Sequence, residues 1–218
     1  IENVVRQYEL IYPGFKFLDV VPCDFDDIPQ YQYSLKDYNN YTDKGIPKYK
    51  FGVIFNLDNS RQSGSHWTAL YFDMKKKQIY YQDSVGNPPK SEFIKLMDSI
   101  EKQMKVDKKP IDRRVNKLRH QYQNSECGVY SISFILRLLN GESFDEIESK
   151  PIPDEDVKTI CKVNSVAKNI LRLFLHTFTN PISNNKFKDL NIDDVSALNM
   201  LTISLKYKNF AELVLNSI

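Results

Sequence analysis

"HQYQNSECGVYSISFI", residues 120–135, is where a polar run turns apolar, and a cysteine followed by a glycine stands at the turn. The apolar part continues to 141 and places Val129, Ile132, Ile135, Leu136 and Leu139 on one helical face, with Asn140-Gly141 as a C-terminal stop. With Ser125 as N-cap, Cys127 is the second residue of this helix. Its sulfur then lies among unpaired backbone N–H groups at the positive end of the helix dipole. Both favour the thiolate, the nucleophilic form of cysteine. Gly128 keeps the space beside the sulfur open for a substrate backbone. The same features also suit an ordinary cysteine buried under a helix start, so the rest of the chain has to decide.

A nucleophile needs a base, and the chain offers His66, His120 and His176. The stretches 49–57, 65–74 and 78–85 are rich in β-branched and aromatic residues and read as neighbouring strands, the last two joined by the charged turn "MKKK". If 74 pairs with 77, residues whose numbers sum to 151 face each other. His66 and Asp83 are then diagonal neighbours on one face, roughly 7–8 Å apart at the backbone. Asp83 can accept the imidazole N–H and fix its tautomer, leaving the other nitrogen for Cys127. Gln121 offers a side-chain amide that, with the Cys127 N–H, can hold an oxyanion. His120 is a rival base. Residues 113–120 read as a strand, on which neighbours point to opposite faces, so one of His120 and Gln121 looks into the site, and Gln121 is preferred.

The remaining organisation follows from pattern. Residues 3–11 suit a short helix, and 87–105 form a helix with Phe93, Leu96, Met97 and Ile100 inward. "ESKPIPDED" (148–156) is a proline-broken acidic connector with Asp154 as N-cap of a following helix, and helical segments continue to Ile218. The expected class is α+β, with a catalytic body at 1–160 and an all-helical extension at 161–218. In the helical pattern of 190–205, Val195, Leu198 and Thr202 share a face distinct from that of Ala197, Leu201 and Leu205. A helix apolar on two sides is either wholly buried or free to bind on one of them.

In the 218 residues, thirty basic and twenty-eight acidic side chains give a net charge of +2, a balance that speaks against nucleic acid as a partner. No apolar run approaches the length that spans a bilayer, and no secretory leader pattern is present. Cys23, Cys127 and Cys161 are odd in number and scattered, which supports neither a disulfide framework nor a zinc site and suits a reducing compartment. No metal or cofactor is expected, and the protein is expected to be a monomer. Cys23 and Cys161 read as packing residues and His176 as a helix-surface residue. The chain opens on Ile1 and reads as a piece of a longer protein.

The order His66-Trp67, then Asp83 seventeen residues after the histidine, then Q-x5-CG from Gln121 to Gly128, resembles the Ulp1-type cysteine proteases of the CE clan. The likeness covers about residues 50 to 160. It implies an Ulp1/adenain-like, papain-type core with a mixed central sheet flanked by helices. It also implies Cys127 as nucleophile, His66 as base, Asp83 as its orienting partner and Gln121 at the oxyanion. Trp67 would form one wall of a tunnel admitting a Gly-Gly tail. A second tryptophan often closes that tunnel in the family, and this chain has one Trp, so Phe25 or a neighbouring aromatic is the candidate substitute. "HQYQNSECGVY" and "DSVGNPP" are close to the maturation proteases of large DNA viruses. The helical extension and the Asn/Lys-rich composition resemble the deubiquitylase effectors of obligate intracellular bacteria such as Orientia. The preferred expectation is a deubiquitylase, a bacterial effector acting in the host cytoplasm on ubiquitin conjugates or chains, with Val195, Leu198 and Thr202 holding a second ubiquitin. The alternatives are a viral capsid maturation protease and a SUMO- or NEDD8-type protease.

Overall fold

The structure, a computed structural model, describes residues 1–106, 109–123 and 126–156. The helical extension, with Val195, Leu198, Thr202, Cys161 and His176, lies outside the described residues, as does the expected N-cap Ser125.

Two short helices, α1 (Glu2–Arg6) and α2 (Tyr8–Ile11), lead into β1 (Phe15–Val21). A small hairpin, β2 (Thr42–Asp43) and β3 (Ile46–Pro47), precedes three longer strands: β4 (Lys50–Asn56), β5 (Trp67–Asp73) and β6 (Gln78–Gln82). Then follow α3 (Ser91–Met104), β7 (Asp112–Val115), α4 (Cys127–Leu139) and α5 (Phe144–Ser149). β1, β4, β5, β6 and β7 form one sheet in that order. β1–β4 and β6–β7 are parallel, and the two central pairings are antiparallel. The sheet is mixed, and helices cover both faces.

Alternation along the central strands builds two cores. Val53, Leu70 and Tyr81 point to the side of α3, where Phe93, Leu96, Met97 and Ile100 are wholly buried as the helical spacing requires. Phe55 stacks on Phe93 with ring centroids 4.1 Å apart. Ile54, Ala69, Tyr71 and Tyr80 face the other way, against Phe134, Ile135 and Leu138 of α4. The buried stripe of α4 runs through Cys127, Tyr130, Ser131, Phe134, Ile135, Leu138 and Leu139. Of the face expected from sequence, Ile135 and Leu139 are buried, while Val129, Ile132 and Leu136 are half-buried. The helix is apolar nearly all round, so periodicity alone does not single out its inner side.

Three further corrections have physical causes. α4 starts at Cys127 with Glu126 as N-cap, so the cysteine is the first helical residue rather than the second. β7 ends at Val115, and residues 116–121 form a loop. The strand-parity reason for choosing between His120 and Gln121 therefore does not apply. Phe25 is wholly buried between Phe55, Tyr33 and Phe93 and cannot wall a surface tunnel.

Candidate active site

Strand directions gather the chemistry at one end of the sheet. β5 begins and β6 ends there, because a tight turn joins them in antiparallel register. β7 runs parallel to β6, so the loop after it leaves at the same end, and the N-terminus of α4 arrives there. The β5–β6 register pairs Asp73 with Gln78 and Ala69 with Gln82, so facing numbers sum to 151 as the short turn requires. His66, one residue before β5, and Asp83, one residue after β6, are consequently neighbours.

The His66 Nε2 lies 2.6 Å from Asp83 Oδ1. Asp83 is fully buried, and the same oxygen accepts the Val85 N–H at 2.8 Å. With Nε2 committed to the carboxylate, Nδ1 is the nitrogen left for the thiol, and the His66 and Cys127 side chains lie close enough to shift each other's ionisation. The bond to Asp83, and after it the neighbouring Cys127 side chain, raise the His66 pKa to about 9 against the opposing effect of burial. For Cys127, burial pushes the thiol up. The His66 side chain, the N–H groups of Trp67 and Gly128 and the charge on His66 outweigh it, and the thiol is held below its ordinary value. Both shifts favour the thiolate–imidazolium pair over the neutral pair.

Gln121 is buried, and its amide is fixed from both ends. Its Oε1 accepts the Ser84 hydroxyl at 2.6 Å, and its Nε2 donates to the Gln123 carbonyl. A carbonyl only accepts, so Nε2 must face Gln123, and that leaves one amide N–H to offer elsewhere. Ser84 also accepts, at its carbonyl, the N–H groups of His120 and Gln121, each at 2.8 Å. The His120 ring turns into the protein: Nε2 lies 3.1 Å from the Glu148 carbonyl and Nδ1 3.5 Å from Gln82 Nε2. Burial lowers its pKa and favours the neutral ring. Of the two described histidines, His66 is the one beside the cysteine.

Trp67 is half-buried next to His66. A Cβ placed on Gly128 would lie 3.8 Å from Trp67 Cδ1 and 2.9 Å from the end of the Ile1 side chain, so this glycine and this indole stand about one methyl group apart, with the Ile1 side chain against the same glycine. Cys23 is half-buried, its sulfur 3.8 Å from Lys90 Nζ. Among the described residues no group of three His, Cys, Asp or Glu side chains is placed to hold a metal ion.

Sequence reasoning missed the supports. Asn116 grips the Asp83 backbone, accepting its N–H at 2.8 Å and donating to its carbonyl at 2.7 Å. Gly86 closes the turn after Asp83, its N–H donating to the Asp83 carbonyl. Its φ of +87 suits glycine, and a Cβ there would press to 3.0 Å from the Lys117 carbonyl. The Asp83-to-Gly86 turn pattern was the one available signal. Asn116 had none.

The family model described as "Ulp1 protease family, C-terminal catalytic domain" matches residues 51–172. A thiol protease, R355, of Acanthamoeba polyphaga mimivirus is 38% identical over 163 residues, 73% of this chain and 52% of that protein. The SUMO-1 cysteine protease S273R of African swine fever virus is 34% identical over 110 residues, 49% of this chain and 40% of that protein. The chain thus spans about half, or less, of the length of these curated relatives. The crystal structure of the African swine fever virus protease superposes with a TM-score of 0.58 at 27% identity, over 70% of this chain and 61% of that one. The Chlamydia trachomatis effector Cdu1, in a structure bound to ubiquitin, superposes with a TM-score of 0.54 at 14% identity, over 77% of this chain and 92% of that one, a likeness of fold.

Proposed function

The chain belongs to the Ulp1 protease family, as a C-terminal catalytic domain, and on that premise we propose that it hydrolyses the bond after the terminal glycine of a ubiquitin-like protein. The observation that carries this reading is the chain of contacts from Asp83 through His66 to a cysteine at the first position of a helix.

In the proposed reaction the Cys127 thiolate attacks the glycine carbonyl. The developing oxyanion takes hydrogen bonds from the Gln121 amide and the Cys127 N–H, and losing one such donor costs roughly 2.7–4 kcal/mol in transition-state stabilisation. The His66 imidazolium gives its proton to the departing amine, leaving a thioester. Neutral His66 then takes a proton from water as its oxygen attacks the thioester; the C–S bond breaks, releasing the glycine carboxyl group and restoring the thiolate and the imidazolium. Asp83 keeps the ring in the tautomer and orientation both steps need. The gap between Trp67 and Gly128 suits a tail whose last residues lack side chains.

The substrate is most simply ubiquitin or a SUMO-type modifier, because one relative is named a SUMO-1 cysteine protease and a structural neighbour was seen bound to ubiquitin. A second reading, maturation of a viral precursor at a small-residue site, is favoured by the viral relatives at 38% and 34% identity. Reaction with C-terminally activated ubiquitin, SUMO and NEDD8 probes separates them. Labelling at Cys127 by any of these supports the first reading. Cleavage of Gly-Gly-x peptides without labelling supports the second. Neither outcome in a folded protein, or labelling that survives Cys127→Ala, overturns the assignment.

A further inference from the structure

The connector after α5 carries Asp154, the expected N-cap of a helix predicted to run on outside the described residues. Its carboxylate reaches two other segments. Oδ2 accepts the backbone N–H of Tyr122 at 3.0 Å, and Oδ1 accepts the hydroxyl of Tyr130 at 2.6 Å. Tyr122 immediately follows Gln121, and Tyr130 stands one turn beyond Cys127 on α4. The Tyr130 hydroxyl also lies 2.8 Å from the Ile152 carbonyl and 3.2 Å from that of His120. One proton is thus shared among three acceptors, of which the carboxylate is nearest. The Gln123 amide reaches Glu155 Oε1 at 3.3 Å, a second tie between the same two segments.

The two elements Asp154 joins are those that carry the two proposed oxyanion donors: the loop bearing Gln121 and the helix whose first N–H belongs to Cys127. We propose that Asp154 is a positioning residue that sets the distance between these donors by holding the 120–123 loop against α4. The proposal rests on the reading of Gln121 and Cys127 given above. Its physical basis is that a hydrogen bond to an ionised acceptor is shorter and about twice as strong as one between neutral groups. A carboxylate has two oxygens, so it can hold a loop N–H and a helix hydroxyl at once. A neutral side chain that donates from one of its two positions cannot. Burial, and then the bond to Asp154, push the Tyr130 hydroxyl well above its ordinary range, so it remains a donor at every pH at which the protein works. A shift of about 1 Å in a stabilising group can cost on the order of 100-fold in rate without altering what the site binds.

The test uses the complete chain with Asp154→Ala, Asp154→Asn, Gln121→Ala and the double variant Asp154→Ala/Gln121→Ala. The readouts are kcat and KM on whichever substrate the probe panel identifies, together with the rate of Cys127 alkylation by iodoacetamide. Alkylation needs the thiolate and no oxyanion donor. Asp154→Ala should lower kcat by about 10- to 100-fold, with KM within about twofold and alkylation unchanged. Asp154→Asn, which keeps an acceptor for Tyr130 and loses the one for the Tyr122 N–H, should fall between it and the wild type. Because Asp154 acts through Gln121, the double variant should be hardly slower than Gln121→Ala alone. The proposal is overturned if the two losses multiply, if kcat is unchanged, or if alkylation falls in parallel. If the wild-type chain reacts with no probe and cuts no peptide, the reading of the site fails and this proposal falls with it. A misfolded Asp154→Ala would show in alkylation and thermal melting, and Asp154→Asn, which keeps the shape, then decides by the same criteria.

Discussion

Asn116 holds both backbone groups of Asp83 with one side chain, accepting the N–H and donating to the C=O, and with its second amide hydrogen it also reaches the Leu118 carbonyl at 3.1 Å. Both residues are buried, so no solvent stands ready to replace these bonds. The carboxylate that orients His66 is thus aimed from the first residue of the loop that follows the neighbouring strand β7. Asn116→Ala leaves the buried Asp83 N–H unpaired, while the Asp83 carbonyl keeps the Gly86 N–H and the Leu118 carbonyl lies on an exposed residue. One buried unpaired donor costs about 1–3 kcal/mol, so urea unfolding should show a loss on the order of 2 kcal/mol. Asn116→Asp, which can still accept the Asp83 N–H but brings charge beside a buried carboxylate, should unfold as easily or more easily, and both should lose kcat. An Asn116→Ala protein as stable as the wild type would contradict this account.

The pH dependence follows from the two shifts at the nucleophile. His66 sits at about 9 in the folded chain, against about 6.5 for an unperturbed imidazole. Its contribution to stability is complete below about 6.5 and disappears as pH rises through the folded value. Cys127 is shifted the other way, so its thiolate persists below the ordinary thiol range. Activity should rise on the acid side as the thiolate forms and fall on the alkaline side as the imidazolium is lost near pH 9. Asp83→Asn removes the largest influence raising His66, so the alkaline limb should move to lower pH. Thiolate absorbance and kcat/KM measured across pH give both limbs. An unmoved alkaline limb in that variant would mean that the pairing with Asp83 is not what charges the ring.

The hairpin was legible because the turn between Met74 and Lys77 is short and leaves one register, from which the neighbourhood of His66 and Asp83 follows. β1 was missed: its buried positions break alternation where the pairing with β4 shifts between Phe17 and Val20. α5 was missed too, although Ser143 and Glu146 form a reciprocal capping box in front of it. Local patterns show which segment is a strand or a helix, and the order of catalytic types along the chain shows a family. Neither shows which polar residue braces another. Asn116, Ser84 and Asp154 acquire their partners only when segments distant in sequence lie side by side.

Ser84 offers a finer test of the oxyanion reading. Its hydroxyl fixes which end of the Gln121 amide is oxygen, in concert with the Gln123 carbonyl. Gln121→Ala should lower kcat by about 100- to 1000-fold, as the loss of one donor does elsewhere. Ser84→Ala keeps the amide but removes one of its two anchors. Its kcat should fall by a smaller factor, about tenfold, with KM nearly constant. Cys127 alkylation should not change in either variant. If Gln121→Ala slows alkylation as much as it slows turnover, Gln121 supports the nucleophile rather than the oxyanion.

Gly128 separates substrate access from folding. It is the second residue of α4, where alanine favours the helix over glycine by up to about 1 kcal/mol. The close contact an added Cβ would make is at 2.9 Å to the flexible end of the partly exposed Ile1 side chain, which can turn aside. Thermal melting of Gly128→Ala should therefore be unchanged or raised. The same methyl group narrows the gap to the Trp67 indole from one side, where a glycine tail has to pass. KM for a ubiquitin-like or Gly-Gly-x substrate should rise, while alkylation by the much smaller iodoacetamide changes little. A variant that melts no lower than the wild type and cuts with an unaltered KM would show that the substrate takes another path to the sulfur.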